Sequence, residues 1–428
     1  MNWSSLAIRE WSLSLRQHGA KKWRGKWWPF IVLLTLTAQS CPVQVHPRPR
    51  VIFTQQQLLA PPSATADFAA HARVLARQQN IEAFIIERPA YSGGEEMKIA
   101  VIYPTPQGDA KAPLLRPVVI APGFSAGASL YLGYACELAK RGFVVFMPDY
   151  KGDFVHFFGL EFLRDPVVNT ATPEFAQCVQ GLIVDLAAHT GNEVDAQFVW
   201  EVWGKFWEGE IKDQAVADLI RKNLFAYRDY SLDATVCSVF DVAEDSESPL
   251  FGHIDTNKIG LEAHSLGADE VMQALLRRYG EPQRAWTDNI GVTILKGGTV
   301  FLHDEASVRT ITTPTFFMNG EYDDPSGIME VTWSRYKMLD APTGYFTLDN
   351  CGHMVFVDPP IGFFGDKLVP LFGQFYDVHW DEFVRNRAAI VDISATLYDA
   401  YLASDSDALG KVHDGAMEFS GTYETRNL

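Results

Sequence analysis

The chain has few cysteines, fewer basic than acidic residues, and no apolar run long enough to span a bilayer. Its five cysteines stand at 41, 136, 178, 237 and 351, and no two share C-x-x-C spacing. That spacing is the usual mark of a structural zinc site, so no metal is expected. In an exported chain Cys178 and Cys237 are candidates for a disulfide, with free buried thiols as the equal alternative. Lys and Arg number 36 against 53 Asp and Glu, for a formal charge of −17. Residues 1–40 contribute a net +5, which leaves −22 on the rest. A body this acidic repels a phosphate backbone, which argues against nucleic acid as a partner. The N-terminal apolar run, Trp27 to Ala38, is 12 residues long. A membrane-spanning helix needs about 20. No internal repeat is visible, so a solenoid is not expected.

The N-terminus carries a directional signal. Arg16, Lys21, Lys22, Arg24 and Lys26 precede the apolar run, and Ala38-Gln39-Ser40 places small residues where a signal peptidase reads. Residues 1–40 therefore read as an export segment, and the expected location is secreted, periplasmic or cell-envelope associated. Two routes to a membrane stay open, the N-terminal segment itself and a lipid on Cys41, although Ala38 and Gln39 fit a lipobox poorly. Residues 41–80 read as a linker and N-terminal extension, extended where Pro42, Pro47, Pro49, Pro61 and Pro62 cluster, with a short helix over Asp67 to Gln78.

A single catalytic domain is expected over 81–428. Ile81 to Glu87 and Met97 to Tyr103 read as a hairpin turned at Ser92-Gly93-Gly94. Apolar strands then alternate with helical spacing. Strands are expected at Pro117 to Ala121, Phe143 to Met147, the run into Ser265, Ile290 to Leu295, Thr313 to Asn319 and Thr343 to Leu348. Helices fall between them, at Ala128 to Lys140, Arg228 to Val242, after Ser265, and Gly327 to Met338, and Val384 to Leu402 reads as the final helix. Buried strands joined by helices imply an α/β class, with a mostly parallel central sheet and helices on both faces. Residues 151–222 interrupt this alternation with a helix-like, aromatic-rich insertion. Trp200, Trp203 and Trp207 share one helical face there. Such stripes usually pack on a core. The alternative is a helical cap over the strand ends, with Trp203 and Trp207 in a substrate pocket.

The stretch with most chemistry is Lys258 to Asp269, K-I-G-L-E-A-H-S-L-G-A-D. It places Ser265 between an apolar strand and a helical pattern, with small residues Ala263 and Gly267 on either side. A serine on a sharp strand-to-helix turn is a nucleophile elbow, usually G-x-S-x-G. A serine hydroxyl needs a base to take its proton and a carboxylate to orient that base. Both follow in the chain, each just after an expected strand. Gly320-Glu321-Tyr322-Asp323-Asp324-Pro325 supplies the acid, Asp323 with Asp324 as close rival, and Asp349-Asn350-Cys351-Gly352-His353 supplies the histidine. The order Ser265, Asp323, His353 is the order such an arrangement requires. An oxyanion hole would use the N–H of Leu266 and that of Phe124, in the loop Pro122-Gly123-Phe124-Ser125.

Ile102-Tyr103-Pro104-Thr105, V-V-I-A-P-G-F at 118–124, R-G-F-V-V-F-M-P-D-Y at 141–150, the serine stretch, G-E-Y-D-D-P at 320–325 and C-G-H at 351–353 together resemble the α/β-hydrolase superfamily. Within it they are most similar to the dienelactone-hydrolase-like and platelet-activating-factor-acetylhydrolase-like serine esterases. Pro122 stands where these families often have histidine, and Ala263 replaces the first elbow glycine. Dienelactone hydrolases proper use cysteine as nucleophile, so Ser265 argues against that activity. The resemblance implies a cofactor-free carboxylic ester hydrolase working through an acyl-enzyme on a small-molecule or lipid-like ester. It carries over Ser265, Asp323 and His353 as triad, with Phe124 and Leu266 as oxyanion donors. An amidase or peptidase on the same triad, and a binding protein that keeps the fold without activity, are the alternatives.

Overall fold

The computed structural model describes residues 81–89, 97–105, 113–123, 128–149, 173–194, 198–199, 201–202, 205, 211, 213–224, 226–280, 286–298, 305–323, 328–358 and 380–428. The expected export segment, the linker and the helix over Asp67 to Gln78 lie outside these residues, as do Cys41, Phe124, Trp203, Trp207 and Asp324. Nine strands form one sheet: β1 (Ile81–Arg88), β2 (Met97–Pro104), β3 (Arg116–Ala121), β4 (Phe143–Asp149), β5 (Ile259–His264), β6 (Ile290–Lys296), β7 (Thr315–Gly320), β8 (Thr343–Leu348) and β9 (Gly421–Arg426). The helices are α1 (Leu132–Lys140), α2 (Pro173–Thr190), α3 (Gln214–Leu224), α4 (Ala226–Glu244), α5 (Leu266–Gly280), α6 (Glu305–Val308), α7 (Ile328–Met338), α8 (Trp380–Tyr401) and α9 (Ser406–Asp414). The molecule is an α/β protein.

The described residues divide into two compact units. Residues 173–230, with Pro89, belong to one; residues 81–88, 97–149 and 231–428 belong to the other, which carries the whole sheet. In the first unit α2 packs on α3, and Leu182 and Leu186 of α2 and Ile220 of α3 are buried. Asn223 and Lys222 on α3 both donate to Asp185 on α2, at 2.8 and 3.0 Å.

Strand order in the sheet is β1-β2-β4-β3-β5-β6-β7-β8-β9. The six central strands run parallel, from β4 through β3 and β5 to β8. The β1–β2 hairpin and β9 close the edges antiparallel. Apolar residues fill both sides of the central strands, as a sheet covered on both faces requires. On one face Val119, Ala121, Leu261, Ala263, Leu295 and Phe317 join Val236, Val239, Val271, Leu275 and Tyr336 from α4, α5 and α7 in one core. The opposite face meets α1 and α8, where the buried rings of Tyr134 and Tyr398 reach Glu262 on β5.

The chain leaves β3 for β4 on one side and later returns to lay β5 on the other. Open parallel sheets usually place their ligands beyond the carboxyl ends of the strands at such a reversal, here β3 and β5. Gly123 and Ser265 stand at those two ends.

Two expectations need correction. Val384 to Leu402 is not the final element, because α8 is followed by α9 and then by β9, which pairs along all of β8. Cys237 is a free thiol, which leaves the free-thiol alternative in place of a bond to Cys178, but it is exposed where a buried thiol is expected. Among the described residues no helix is long and apolar enough to cross a membrane.

Candidate active site

Ser265 has φ of 53°, in the left-handed region that a non-glycine residue rarely occupies. The conformation is held from both sides. The Ser265 N–H donates to the Lys296 carbonyl on β6 at 2.9 Å, and the Ser265 carbonyl accepts from Ala268 at 3.0 Å in the first turn of α5. Such strain persists only where the surroundings over-determine it. Gly267 makes the close approach feasible, since a methyl there would lie 2.4 Å from the Ala121 carbonyl oxygen and 2.8 Å from that of Pro122. The start of α5 is thus pressed against the end of β3. Ala263 is fully buried in the core, so its additional methyl is accommodated. A methyl on Gly123 would sit 3.1 Å from Ser265 Cβ, which places Gly123 directly beside the serine.

His353 Nδ1 lies 2.7 Å from Asp323 Oδ1. An ionised carboxylate only accepts, so Nδ1 carries the hydrogen and Nε2 keeps a lone pair. The Asp323 side chain is fully buried, whereas that of His353 is 16% exposed, so solvent reaches only the histidine. Asp323 is positioned by its own N–H to Gly320 O at 3.0 Å, at the end of β7. The loop bearing His353 is anchored on several sides. Tyr322 N–H donates to Cys351 O at 2.9 Å and Asn350 N–H to Glu321 Oε2 at 2.9 Å. Arg387 of α8 donates to Phe356 O at 2.9 Å and pairs with Asp358. Asp358 in turn accepts the Gly133 and Tyr134 N–H groups at 2.5 and 3.1 Å, capping the N-terminus of α1 from a distant loop.

Gly297 links serine and histidine. It follows Lys296, whose carbonyl holds the Ser265 amide, and it has φ of 51°. A methyl on Gly297 would lie 2.7 Å from Asp323 Oδ2 and 2.9 Å from His353 Nδ1. The acid and base therefore pack against the backbone that fixes the serine.

Beneath this surface lies a buried polar layer. Gly123 N–H donates to the Tyr131 hydroxyl at 2.9 Å, and that hydroxyl lies 2.7 Å from His264 Nδ1. His264 Nε2 lies 3.2 Å from the His353 carbonyl oxygen, and the two imidazole rings are 4.6 Å apart. Burial, reinforced by His353, pushes the His264 imidazole well below its ordinary value, so the ring is neutral. A neutral ring whose Nε2 faces a carbonyl donates there and accepts at Nδ1, from the tyrosine. Two residues back on the same side of β5, Glu262 accepts from Lys296 Nζ at 2.7 Å and from the Tyr134 and Tyr398 hydroxyls, each at 2.7 Å. Burial pushes the Lys296 ammonium down to about 8 against the pull of Glu262.

Of the residues singled out from sequence, the structure joins Asp323 to His353 and sets Ser265 and Leu266 at the β5–α5 turn. Of the two candidate acids only Asp323 is among the described residues, and it is bonded to His353. Phe124, Trp203, Trp207 and Asp324 lie outside the described residues. Gly297, Tyr131 and His264 went unassigned. Gly297-Gly298 directly after an apolar strand was a usable signal for a backbone kept bare for close approach. Tyr131 left none, because it reads as one more apolar position of a helix. Among the described residues no cluster of His, Cys, Asp and Glu is arranged to hold a metal ion. No protein-family model matches the chain, and no curated protein matches it.

Proposed function

We propose that the chain is an α/β-hydrolase-type serine esterase that cleaves a carboxylic ester through an acyl-enzyme. One conjunction carries this proposal. A serine strained at φ 53° between strand and helix lies at the sheet's reversal point, and a histidine backed by a buried carboxylate packs on the adjacent Gly297. Strain of this kind exposes a hydroxyl at the end of a strand.

Ser265 Oγ attacks the ester carbonyl carbon and its proton passes to His353 Nε2, the nitrogen that Asp323 does not engage. Asp323 keeps the ring in that tautomer and stabilises the imidazolium that forms. Leu266 is the first residue of α5, so its N–H has no partner within the helix and is available to the developing oxyanion. Phe124, after Gly123, is assigned the second donor. Loss of one such donor raises a barrier by about 2.7–4 kcal/mol. Collapse of the tetrahedral intermediate breaks the C–O bond, and the departing alcohol takes the proton from His353 Nε2. A water then attacks the acyl-enzyme with His353 as base, releasing the acid and restoring the Ser265 hydroxyl.

The substrate class assigned is a small-molecule or lipid-like ester, met outside the cytoplasm if residues 1–40 export the chain. Ser265→Ala is expected to abolish turnover of short p-nitrophenyl esters while the circular dichroism spectrum stays that of the wild type. Retained turnover would overturn the assignment, and faster cleavage of matched anilides than of esters would replace it with an amidase.

A further inference from the structure

Tyr131 and His264 form a bridge between the two halves of the site. On one side the Tyr131 hydroxyl accepts the N–H of Gly123, the residue before the proposed oxyanion donor Phe124. On the other, His264 Nε2 faces the backbone carbonyl of His353, the proposed base itself. Between them the hydroxyl donates to His264 Nδ1 at 2.7 Å. Every bond in this chain has a donor and an acceptor without any group being charged, and both side chains are buried, at 1% and 3% exposure. The rings also pack edge to face at 5.9 Å, and His264 stacks at a tilt on His353. His264 immediately precedes the strained Ser265, so one side chain next to the nucleophile touches what holds the oxyanion turn and what holds the base.

We propose that Tyr131 and His264 are positioning residues, setting the oxyanion-side turn at Gly123 against the His353 loop through the chain Gly123 N–H, Tyr131 hydroxyl, His264 imidazole, His353 carbonyl. This role rests on the serine-esterase proposal. Neither side chain touches substrate; they fix the separation between the place where negative charge develops and the place where the proton is taken. Misplacement of reacting groups lowers turnover more than it lowers binding. The signature is therefore a fall in kcat at nearly constant KM.

The test is steady-state hydrolysis of a short p-nitrophenyl ester by wild type, Tyr131→Phe, His264→Gln, His264→Leu and the Tyr131→Phe/His264→Leu pair. All are assayed well below their unfolding midpoints, with fluorophosphonate labelling run in parallel. Tyr131→Phe keeps the packing and loses only the hydroxyl. It is expected to lower kcat about 10-fold, the order of one net hydrogen bond, with KM within about twofold. His264→Leu should lose at least as much, and His264→Gln, whose amide can still donate toward the His353 carbonyl, should recover part of it. The double variant should be no worse than His264→Leu, because both substitutions break one chain. A pair that only supports the fold would lower the unfolding midpoint and leave kcat of the folded enzyme unchanged.

An active, labelled wild type whose Tyr131→Phe and His264→Leu variants keep kcat within about twofold removes the positioning role and leaves the esterase standing; multiplicative losses in the double variant remove the single chain. An inert, unlabelled wild type removes both. Should the His264 variants not fold, the wild type still decides: nitrogen-15 imidazole spectra at neutral pH are expected to show His264 as the neutral Nε2–H tautomer, and a ring titrating near 6.5 contradicts the chain.

Discussion

Gly297→Ala separates a bare backbone that the site requires from one that is incidental. The methyl would be built 2.7 Å from Asp323 Oδ2 and 2.9 Å from His353 Nδ1. Ordinary contact begins at about 3.4 Å, so the acid–base pair must retreat by roughly 0.5–0.7 Å. Asp323 is fully buried and pinned at the end of β7, and the His353 loop is held by α8, so neither can move without loosening its partners. Displacement on the order of 1 Å in a reacting constellation costs about 100-fold in rate, which puts the expected loss in kcat between about 10- and 100-fold. Stability falls separately, because alanine at φ 51° costs about 1–2 kcal/mol in the left-handed region. The assay is kcat on a short p-nitrophenyl ester beside urea unfolding of the same protein. Wild-type kcat in a folded Gly297→Ala variant, even a destabilised one, would refute the packing of Asp323 and His353 against this backbone.

Three further outcomes follow from the buried layer and the sheet edge. Lys296→Met leaves Glu262 without its ammonium in the interior and is expected to lower stability by about 3–5 kcal/mol, whereas the Glu262→Gln/Lys296→Met pair should lose clearly less; equal losses in urea unfolding would contradict a coupled pair. His264 is held below its ordinary value by burial, so below about pH 6.5 the unfolded chain takes up a proton that the folded chain refuses. Stability attributable to this group is complete above that pH and falls on acidification by at most about 1.4 kcal/mol per pH unit. His264→Gln should flatten that slope, and an unchanged slope would place the effect elsewhere. Tyr423 on β9 stacks on Phe346 at 4.2 Å between centroids and donates to Val412 O at 3.1 Å. Tyr423→Ala should cost about 1–3 kcal/mol and raise amide exchange in β9 before β8; uniform exchange across both strands would contradict an edge held by that ring.

The central strands were legible because each is a short apolar run bounded by turn residues, and a parallel sheet buried on both faces produces that pattern. β9 was not, since G-T-Y-E-T-R is polar and half-exposed, and nothing local distinguishes an edge strand from a loop. Its pairing with β8 is a tertiary fact. α9 is short and mostly polar, with Ala408 and Val412 as its buried residues, so the pattern makes α8 read as the last helix. The site was legible where chemistry follows a strand end: Ser265, Asp323 and His353 each stand just past an apolar run. The choice between Asp323 and Asp324 depends on side-chain direction, which spacing does not encode. Glu262 and Lys296 were invisible as a pair because they lie 34 residues apart and meet only when β5 and β6 are placed side by side. Tyr131 and His264 are hidden for a related reason, as 133 residues separate them and they meet only when the ends of β3 and β5 lie side by side.

The most direct measurement of the central claim is intact-protein and peptide mass spectrometry after treatment of the native chain with a fluorophosphonate. The proposed mechanism requires one adduct, on Ser265, formed as ester hydrolysis is lost and prevented by His353→Ala. An active chain that takes no adduct, or takes it on a residue other than Ser265, contradicts the mechanism.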